Sequence, residues 1–497
     1  MARVISIKPI DAIITQPPNN KLRLLWAERL FKQHRNKIKY FQLAMLIAFL
    51  ILIIVPMFAK IPKFSDTILT STVLLSQFLF WGIWYSACLF SVIPFSRLWC
   101  GILCPLGALS EWSGKFGLKR TIPGWMQWNG WLVVMFTIVT ILGQTLDVRD
   151  DPAGMAKLFL YIFILAILLG FIYGQNNGRP WCRYYCPIGK ILGIVSRLGV
   201  IDFKANKGVM PLPKKQTYYI QGRLCPTDYN LPYKTSTNNC IACGACAYGK
   251  KKGGMGIYRR KPGEEILDIL NRRPNWSEVI FILFSPGLSA GGFLWLILHQ
   301  YQQYRDAIGG WFLDKNIMWI FNHAPTWLSS QRWNQHYSWL DVTMITGYML
   351  TYSIVIGLIS TTLITLAAFC LRTTTTSFRK MFVLLTYQHT PVAILSIVIG
   401  LSGKFFEVLN HDFNMSLTLA IGIKFFLLGI SMLWTLYLTL TVMRRINDKS
   451  LTMKLISFGF ILINVATILY MWWPAILGHT YMSEVEQIRK HIIVPGS

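Results

Sequence analysis

The sequence predicts an all-α polytopic membrane protein with about nine transmembrane helices. Hydrophobic residues make up 53% of its 497 residues and charged residues only 14%. The apolar residues also gather in continuous runs close to the ~20 residues that a membrane-spanning helix needs. These runs lack the alternating pattern of barrel strands, so helices are the expected structure. The predicted spans are 40–59, 69–95, 125–145, 155–174, 277–300, 342–371, 381–402, 417–443 and 455–478.

The basic residues are concentrated in alternate loops between the predicted spans. A net charge of +28 would point to nucleic acid if the basic residues formed a soluble face with base-stacking aromatic residues, and they do not. With nine spans and an internal N-terminus, 38 of the 49 Lys and Arg residues fall in cytoplasmic segments. By the positive-inside rule we therefore place the N-terminus inside and the C-terminus outside a bacterial inner membrane, with no nucleic-acid partner. The first apolar run is too long for a signal peptide and lacks a cleavage site, which predicts an anchor.

This topology divides the chain into four parts. Residues 1–39 are a basic cytoplasmic N-terminus, and residues 40–203 form a four-helix membrane domain. Residues 204–275 form a small cytoplasmic ferredoxin-like loop domain. Residues 276–497 form a C-terminal membrane domain with histidines in its outer loops.

An internal repeat organises the first half. The pattern R-L-W-C-x3-C-P-L-G at 97–107 returns 82 positions later as R-P-W-C-x3-C-P-I-G at 179–189. Each copy follows a pair of predicted spans at their cytoplasmic exit, so four thiolates are expected to converge. Three interpretations fit: a shared [4Fe-4S] cluster, a dithiol relay, or two structural turns with buried cysteines. The four residues are Cys100, Cys104, Cys182 and Cys186.

A second cysteine motif, C-I-A-C-G-A-C, lies at 240–246. The spacing C-x2-C-x2-C is the bacterial ferredoxin run, in which a distant Cys-Pro supplies the fourth thiolate of a [4Fe-4S] cluster. Position 250 is Lys where a two-cluster ferredoxin has a further cysteine, and Cys225-Pro226 stands upstream. We therefore predict one cluster bound by Cys225, Cys240, Cys243 and Cys246. Four thiolates also suit zinc, whose usual pattern is two C-x2-C pairs.

The remaining cysteines and the histidines carry weaker signals. Cys88 and Cys370 stand alone in apolar runs, which is typical of packing residues. Candidate metal ligands on or near the outer side are His299, His389, His411 and His479. Imidazole ligates haem iron, copper and ferrous iron, although histidine is also common in wet outer loops. His389 lies within a span, where a haem ligand, a quinone site and a hydrogen-bonded packing residue are all compatible with the sequence.

On the paired W-C-x3-C-P-x-G elements followed by a ferredoxin segment, the chain resembles the membrane polyferredoxins of the NapH, NosR and CcoG type. The resemblance covers about 40–275 and implies electron transfer between a quinol or cytoplasmic donor and a partner outside the cytoplasm. We expect the chain to depart from that family in two ways: it has one ferredoxin triplet where the family often has two, and no large extracytoplasmic flavin-binding domain is expected ahead of the first span. The C-terminal half is similar in layout to polyferredoxin components of bacterial iron-uptake systems.

We therefore expect a membrane iron–sulfur electron-transfer protein that works between a cytoplasmic or quinol donor and a periplasmic redox partner. It would act as a quinol dehydrogenase-type or metalloreductase-type subunit. The alternative is a redox accessory of iron or copper uptake, which supplies electrons beside a separate permease and a periplasmic metal-binding protein.

Overall fold

The structure is a computed structural model. It describes residues 22–34, 36–60, 62–63, 66–175, 178–205, 225–229, 231, 234–247, 255–329, 337–373, 376–401 and 403–492. The side chains of residues 205, 401, 404 and 478–492 fall outside this description. The described chain is mostly helical with little sheet, which confirms the predicted class.

The helices follow one another along the chain with short connections. In the first part they are α1 Leu25–His34, α2 Ile38–Ile54, α3 Thr72–Gln77, α4 Ser86–Phe90, α5 Val92–Phe95, α6 Pro105–Lys115, α7 Trp131–Thr145, α8 Pro152–Tyr173 and α9 Pro187–Ser196. In the second part they are α10 Glu264–Leu267, α11 Trp276–Ile297, α12 His299–Asp314, α13 Trp339–Leu371, α14 Phe378–Gln388, α15 Thr390–Leu401, α16 Gly403–Phe413, α17 Leu417–Arg444 and α18 Leu451–Ile492. Wider π-helical turns lie at Phe78–Tyr85, Trp99–Leu103 and Trp181–Tyr185. Short 3-10 turns lie at Val55–Phe58, Gly124–Gln127, Ile269–Asn271 and Met318–Phe321.

Eight helical stretches among the described residues are long and apolar enough to cross a membrane. This supports a multi-pass membrane protein. The stretches are Ile38–Phe58, Thr72–Phe95, Pro152–Tyr173, Trp276–Ile297, Trp339–Leu371, Phe378–Gly400, Leu417–Arg444 and Leu451–Leu477.

The predicted count of nine spans is not confirmed, because the third predicted span forms a shorter helix. Residues 125–145 begin with the 3-10 turn Gly124–Gln127, and α7 then has only 15 residues. At 1.5 Å per residue α7 is about 22 Å long, less than the ~30 Å of the hydrocarbon core. The orientation of the N- and C-termini stays a prediction.

The chain folds into two compact units, each assembled from separate stretches of sequence. The first unit comprises 1–55, 87–136 and 159–281, and the second comprises 56–86, 137–158 and 282–497. All eight cysteines of the two predicted sets belong to the first unit.

The first unit contains a two-stranded antiparallel sheet. Strand β1, Ile201–Ala205, pairs with β2, Met255–Arg259, so that Phe203 lies opposite Ile257. Phe203 and Ile257 are buried with Ala27 of α1 and Ala242 of the cysteine loop. The predicted segment 204–275 therefore begins in β1 and contains β2. This strand pair packs against the loop that carries Cys240, Cys243 and Cys246.

The second unit is a bundle of long helices. Within it α13 packs against α14 and α18, and α17 packs against α15 and α18. A capping box at Ser338 and Asp341 starts α13, and Arg305 pairs with Asp341 at 2.6 Å. The buried face of α17 carries Lys424 and Thr435, so the interior of this unit includes polar side chains within predicted spans.

Candidate metal centre

The ferredoxin-type cysteines surround a common cavity. Cys225, Cys240, Cys243 and Cys246 all line one open cavity, together with the strand residues Phe203 and Met255. The structure therefore brings together the four residues that the sequence assigned to one site.

The backbone of the loop directs amide groups at the sulfur atoms. The backbone N–H groups of Ala242 and Ala245 donate to the thiols of Cys240 and Cys243. Ala242 and Gly244 adopt the left-handed conformation, with φ of 51° and 72°. Hydrogen bonds from backbone amides to the sulfur atoms are one of the factors that set the potential of an iron–sulfur cluster.

Burial disfavours free thiolates at these positions. It raises the pKa of Cys243 to about 12, with a smaller contribution from Cys225 and opposition from Arg179. It also raises the pKa of Cys246 well above its ordinary value, assisted by Cys240 and Cys243. Because a thiolate is the ligating form, a cation must offset this cost, as iron does when it binds sulfur.

A buried carboxylate holds the start of the cysteine loop. Glu265, on α10, is fully buried and accepts hydrogen bonds from Ser236 Oγ at 2.7 Å and Thr237 Oγ1 at 2.8 Å. It also pairs with Arg197 at 2.8 Å and Arg260 at 2.5 Å. Burial opposes ionisation, but Arg260 and then Arg197 hold the pKa of Glu265 well below its usual range. The loop is thus anchored three residues before Cys240.

A second ion pair borders the cavity. Lys234 lines it and pairs with the buried Asp202 at 2.7 Å, while also donating to Phe203 O at 2.6 Å. Burial raises the pKa of the Cys240 thiol, and Lys234 opposes that effect because its positive charge favours the thiolate.

The two copies of the repeat fold in the same way. In each copy a π-helical turn, Trp99–Leu103 or Trp181–Tyr185, ends at the second cysteine, and the following proline is the first residue of a helix. Proline suits this position because its missing N–H would be unbonded there anyway. Cys186 caps α9, and its Sγ accepts from Gly189 N at 3.2 Å. Gly107 N–H lies against Cys104 in the same way. The second thiol of each copy thus lies at a helix N-terminus, which favours a thiolate.

The four thiols of the repeats interact with one another. Burial raises the pKa of Cys186 to about 12, and Cys104 and Cys100 raise it by smaller amounts. The pKa of Cys182 is raised well above its ordinary value, first by burial and then by Cys186, Cys104 and Cys100. The structure therefore brings cysteines of both copies into one neighbourhood, as the repeat predicts.

The two cysteine sets adjoin each other at Gly101. A Cβ atom on Gly101 would overlap Ile241 O and would lie 2.7 Å from the backbone N of Cys243. Arg179 also links the sets, since its Nη1 donates to Cys100 O at 2.9 Å and its backbone N donates to Pro226 O at 2.6 Å. The turn that carries Cys100 thus packs directly on the loop that carries Cys243.

The other predicted site residues, four histidines, belong to the second unit. His389 is 2% exposed, its Nδ1 lies 3.0 Å from Leu385 O, and its Nε2 has no hydrogen-bond partner among the described residues. His299 begins α12, and His411 lies 2.5 Å from Asp412. The side chain of His479 falls outside the described side chains. A metal role for these histidines stays a prediction, as does a haem or quinone.

The described residues contain no group of three or more His, Cys, Asp and Glu side chains placed to ligate a single metal ion. A zinc ion needs four sulfurs at about 2.3 Å from one point. The ferredoxin-type thiols instead border one shared cavity from four positions of the chain. Their C-x2-C-x2-C spacing with a distant Cys-Pro is the donor set of a [4Fe-4S] cluster, and a zinc site usually has two C-x2-C pairs.

Sequence reasoning missed several residues of the site. Arg97 and Arg179 begin the two copies of the repeat, and their presence at the same position in both copies is the signal that could have marked them. Glu265 has no local motif, because its partners at 197, 236 and 260 are distant in sequence. Lys250, Lys251 and Lys252, which follow the last cysteine, lie outside the described residues.

Comparison with known proteins places the chain in a class. Residues 77–123 and 157–206 match a family described as a 4Fe-4S binding domain. These two segments contain the two copies of the cysteine repeat. The match supports an iron–sulfur cluster and confirms the resemblance to membrane polyferredoxin-like proteins.

Several curated proteins are similar to about a third of the chain. An uncharacterized protein of Methanocaldococcus jannaschii is 26% identical over 167 residues, covering 32% of this chain and 63% of that protein. Ferredoxin-type protein NapH of Escherichia coli is 21% identical over 178 residues, covering 30% of this chain and 58% of NapH. Protein NirI of Paracoccus denitrificans is 24% identical over 174 residues, covering 30% of this chain and 24% of NirI. The chain thus spans less than two thirds of the length of each of these relatives. No solved structure matches it.

Proposed function

We propose that this chain is a membrane-bound iron–sulfur electron-transfer protein of the bacterial inner membrane. It would move electrons between a cytoplasmic or quinol donor and a periplasmic redox partner. One observation carries the proposal: eight cysteines form two adjoining sets of four within one compact unit, and the 4Fe-4S binding domain match falls on one of these sets.

The first site would be held by Cys225, Cys240, Cys243 and Cys246. A [4Fe-4S] cluster bound there supplies a centre that gains and loses one electron. The protein contributes the four thiolates and the amide groups of the loop. The anchor through Glu265 keeps this loop in place, which limits the structural rearrangement that accompanies each change of charge.

The second site would be held by Cys100, Cys104, Cys182 and Cys186. Two of these thiols lie at helix N-termini, where backbone N–H groups and the helix dipole stabilise negative charge. Three of the four are buried, with Cys100 and Cys182 each 6% exposed and Cys186 7% exposed, and Cys104 is half-buried. A site that excludes water favours electron transfer over side reactions with solvent.

Direct packing of the two sites supports exchange of electrons between them. Electron tunnelling falls exponentially with distance, so a useful pair of centres must be separated by few atoms. The backbone of Gly101, between Cys100 and Cys104, is in contact with the backbone of Cys243. An electron entering at either site therefore has a short covalent and van der Waals path to the other.

The proposal is tested by isolating the full chain anaerobically in detergent and measuring iron, labile sulfide and the electron paramagnetic resonance spectrum. We expect about eight iron and eight sulfide per chain, because each [4Fe-4S] cluster contributes four of each. Cys243→Ser should remove one signal and Cys182→Ser the other. Cys370→Ser, at a cysteine of the second unit, is the matched control and should keep both. A colourless chain without sulfide would overturn the proposal.

The redox partners are tested separately by the rate at which candidate acceptors reoxidise the reduced protein. We expect quinone analogues to oxidise the clusters faster than ferric or cupric ions do. Faster reaction with metal ions, abolished by replacing His299 and His411, would instead favour the accessory role in iron or copper uptake.

A further inference from the structure

Arg97 is a buried cation beside the second cysteine set. It is 1% exposed. Its Nη1 donates to Asn238 O at 2.5 Å, and its Nη2 lies 3.9 Å from Cys100 Sγ. The same Nη2 and Cys186 Sγ both lie within 3.2 Å of the point that a Cβ on Gly189 would occupy. The guanidinium therefore reaches one thiol from each copy of the repeat.

Arg97 has no carboxylate partner among the described residues. None of the ion pairs between described side chains involves it, and its Nε is buried without a hydrogen-bond partner. A buried guanidinium without a counter-charge is costly, typically several kcal/mol, and is rarely retained. Cys100 Sγ, 3.9 Å from its Nη2, and Cys186 are groups of the second set that can become negative beside it.

Comparison of the two copies of the repeat shows that Arg97 lacks, within the described part of the chain, the carboxylate partner that Arg179 has. Arg179, the equivalent of Arg97 in the second copy, makes two bonds to Glu111 of the first copy, at 2.9 and 2.8 Å. The equivalent of Glu111 in the second copy, 82 positions later, is Gly193. A Cβ on Gly193 would lie 3.5 Å from Arg97 Nη1. Arg97 thus lies next to the position equivalent to Glu111, and the residue there is Gly193, which has no carboxylate.

We propose that Arg97 is the counter-charge of an anionic iron–sulfur cluster held by Cys100, Cys104, Cys182 and Cys186. This inference rests on the proposed function and adds a specific role for Arg97. Arg97 is a positioning residue that raises the reduction potential of this cluster, since its charge stabilises the form with one more electron. Arg179 has less effect, because Glu111 already offsets its charge.

The expected size follows from Coulomb's law. A unit charge about 10 Å from the added electron, at an effective dielectric constant of about 20, changes the ratio of reduced to oxidised cluster about tenfold. For a one-electron couple, a tenfold change corresponds to about 59 mV. The effect should be confined largely to the second cluster.

The test is a redox titration of the full chain in detergent, followed by electron paramagnetic resonance so that each cluster is measured separately. Arg97→Gln should lower the potential of the second cluster by this amount or more. Arg97→Lys, which keeps the charge, should restore most of it. Glu111→Gln should raise the same potential, because it leaves the charge of Arg179 uncompensated.

The outcomes separate this inference from the proposed function. Two clusters in Arg97→Gln with unchanged potentials would overturn the inference and leave the proposed function intact. An equal fall in Arg97→Lys would also overturn it, since charge would not be the cause. Arg97→Gln could instead lose the second cluster altogether. The inference is then supported if Arg97→Lys keeps that cluster. It is refuted if Arg97→Lys also loses the cluster and Glu111→Gln leaves the potential unchanged. A wild-type chain without clusters would refute the proposed function itself.

Discussion

Replacing Gly101 with alanine should separate the two cysteine sets. The added Cβ would overlap Ile241 O and would lie 2.7 Å from both the N and the Cα atoms of Cys243. All three atoms belong to the backbone and cannot rotate away. The loop must therefore retreat by about 1 Å to reach ordinary van der Waals contact. Overpacking of this kind typically costs about 1–3 kcal/mol.

Two measurements follow that change. In Gly101→Ala we expect a loss of stability of about 2 kcal/mol, seen as earlier loss of cluster absorbance on titration with denaturant. Magnetic interaction between the two reduced clusters should also weaken, because the sites move apart. Gly124→Ala is the matched control, since its Cβ would meet nothing within 4 Å. Wild-type stability and an unchanged magnetic interaction in Gly101→Ala would refute the packing described here.

Three further predictions concern the support of the site. Gly244→Ala should lose the first cluster selectively, because Gly244 has a φ of 72° and an added Cβ would overlap the ring of Phe31. The variant should contain about half the iron of the wild type, and full iron content would contradict the prediction. Glu265→Gln should destabilise the first unit by about 3 kcal/mol, as measured by thermal unfolding. It removes a buried carboxylate from an ion-pair network in which Glu278 still pairs with Arg197 and Asp202 with Arg260. The pKa of Glu265 is lowered in the folded chain. Its contribution to stability should therefore be complete above about pH 5 and decline as the pH falls below about 4.3, the pKa of glutamate in the unfolded chain. Glu265→Gln should lack this acid-dependent loss of stability, and the same dependence of stability on pH in variant and wild type would argue against the ion-pair anchor. Cys370→Ser should leave both spectra and both potentials unchanged, whereas loss of either signal would show that Cys370 takes part in a site.

The helical membrane class and both cysteine groupings were predictable from local patterns. Long apolar runs predict spans because a bilayer requires them, and the spacing of the cysteines is set by the inorganic group that they would bind. The count of nine spans was less predictable, because composition alone does not reveal that Pro123 and the turn Gly124–Gln127 delay the start of α7. The helix that forms has 15 residues, and the ninth span stays a prediction.

The charges around the site could not be predicted from spacing. Glu265 acquires its role only when Arg197 and Arg260 are folded against it. Likewise, the difference between Arg97 and Arg179 depends on which side chain of the other copy faces each of them. The repeat aligns these arginines in sequence, but only the folded pairing of Arg179 with Glu111 shows that their charges are compensated differently.

The central claim is that two iron–sulfur clusters lie side by side in one unit, and the spectrum of the fully reduced chain tests it most directly. Clusters at the two adjoining sets should interact magnetically and give a broadened, split spectrum at low temperature. That spectrum should simplify to a single narrow signal when Cys182→Ser removes one partner. A wild-type spectrum of one isolated cluster, unchanged by Cys182→Ser, would contradict the account.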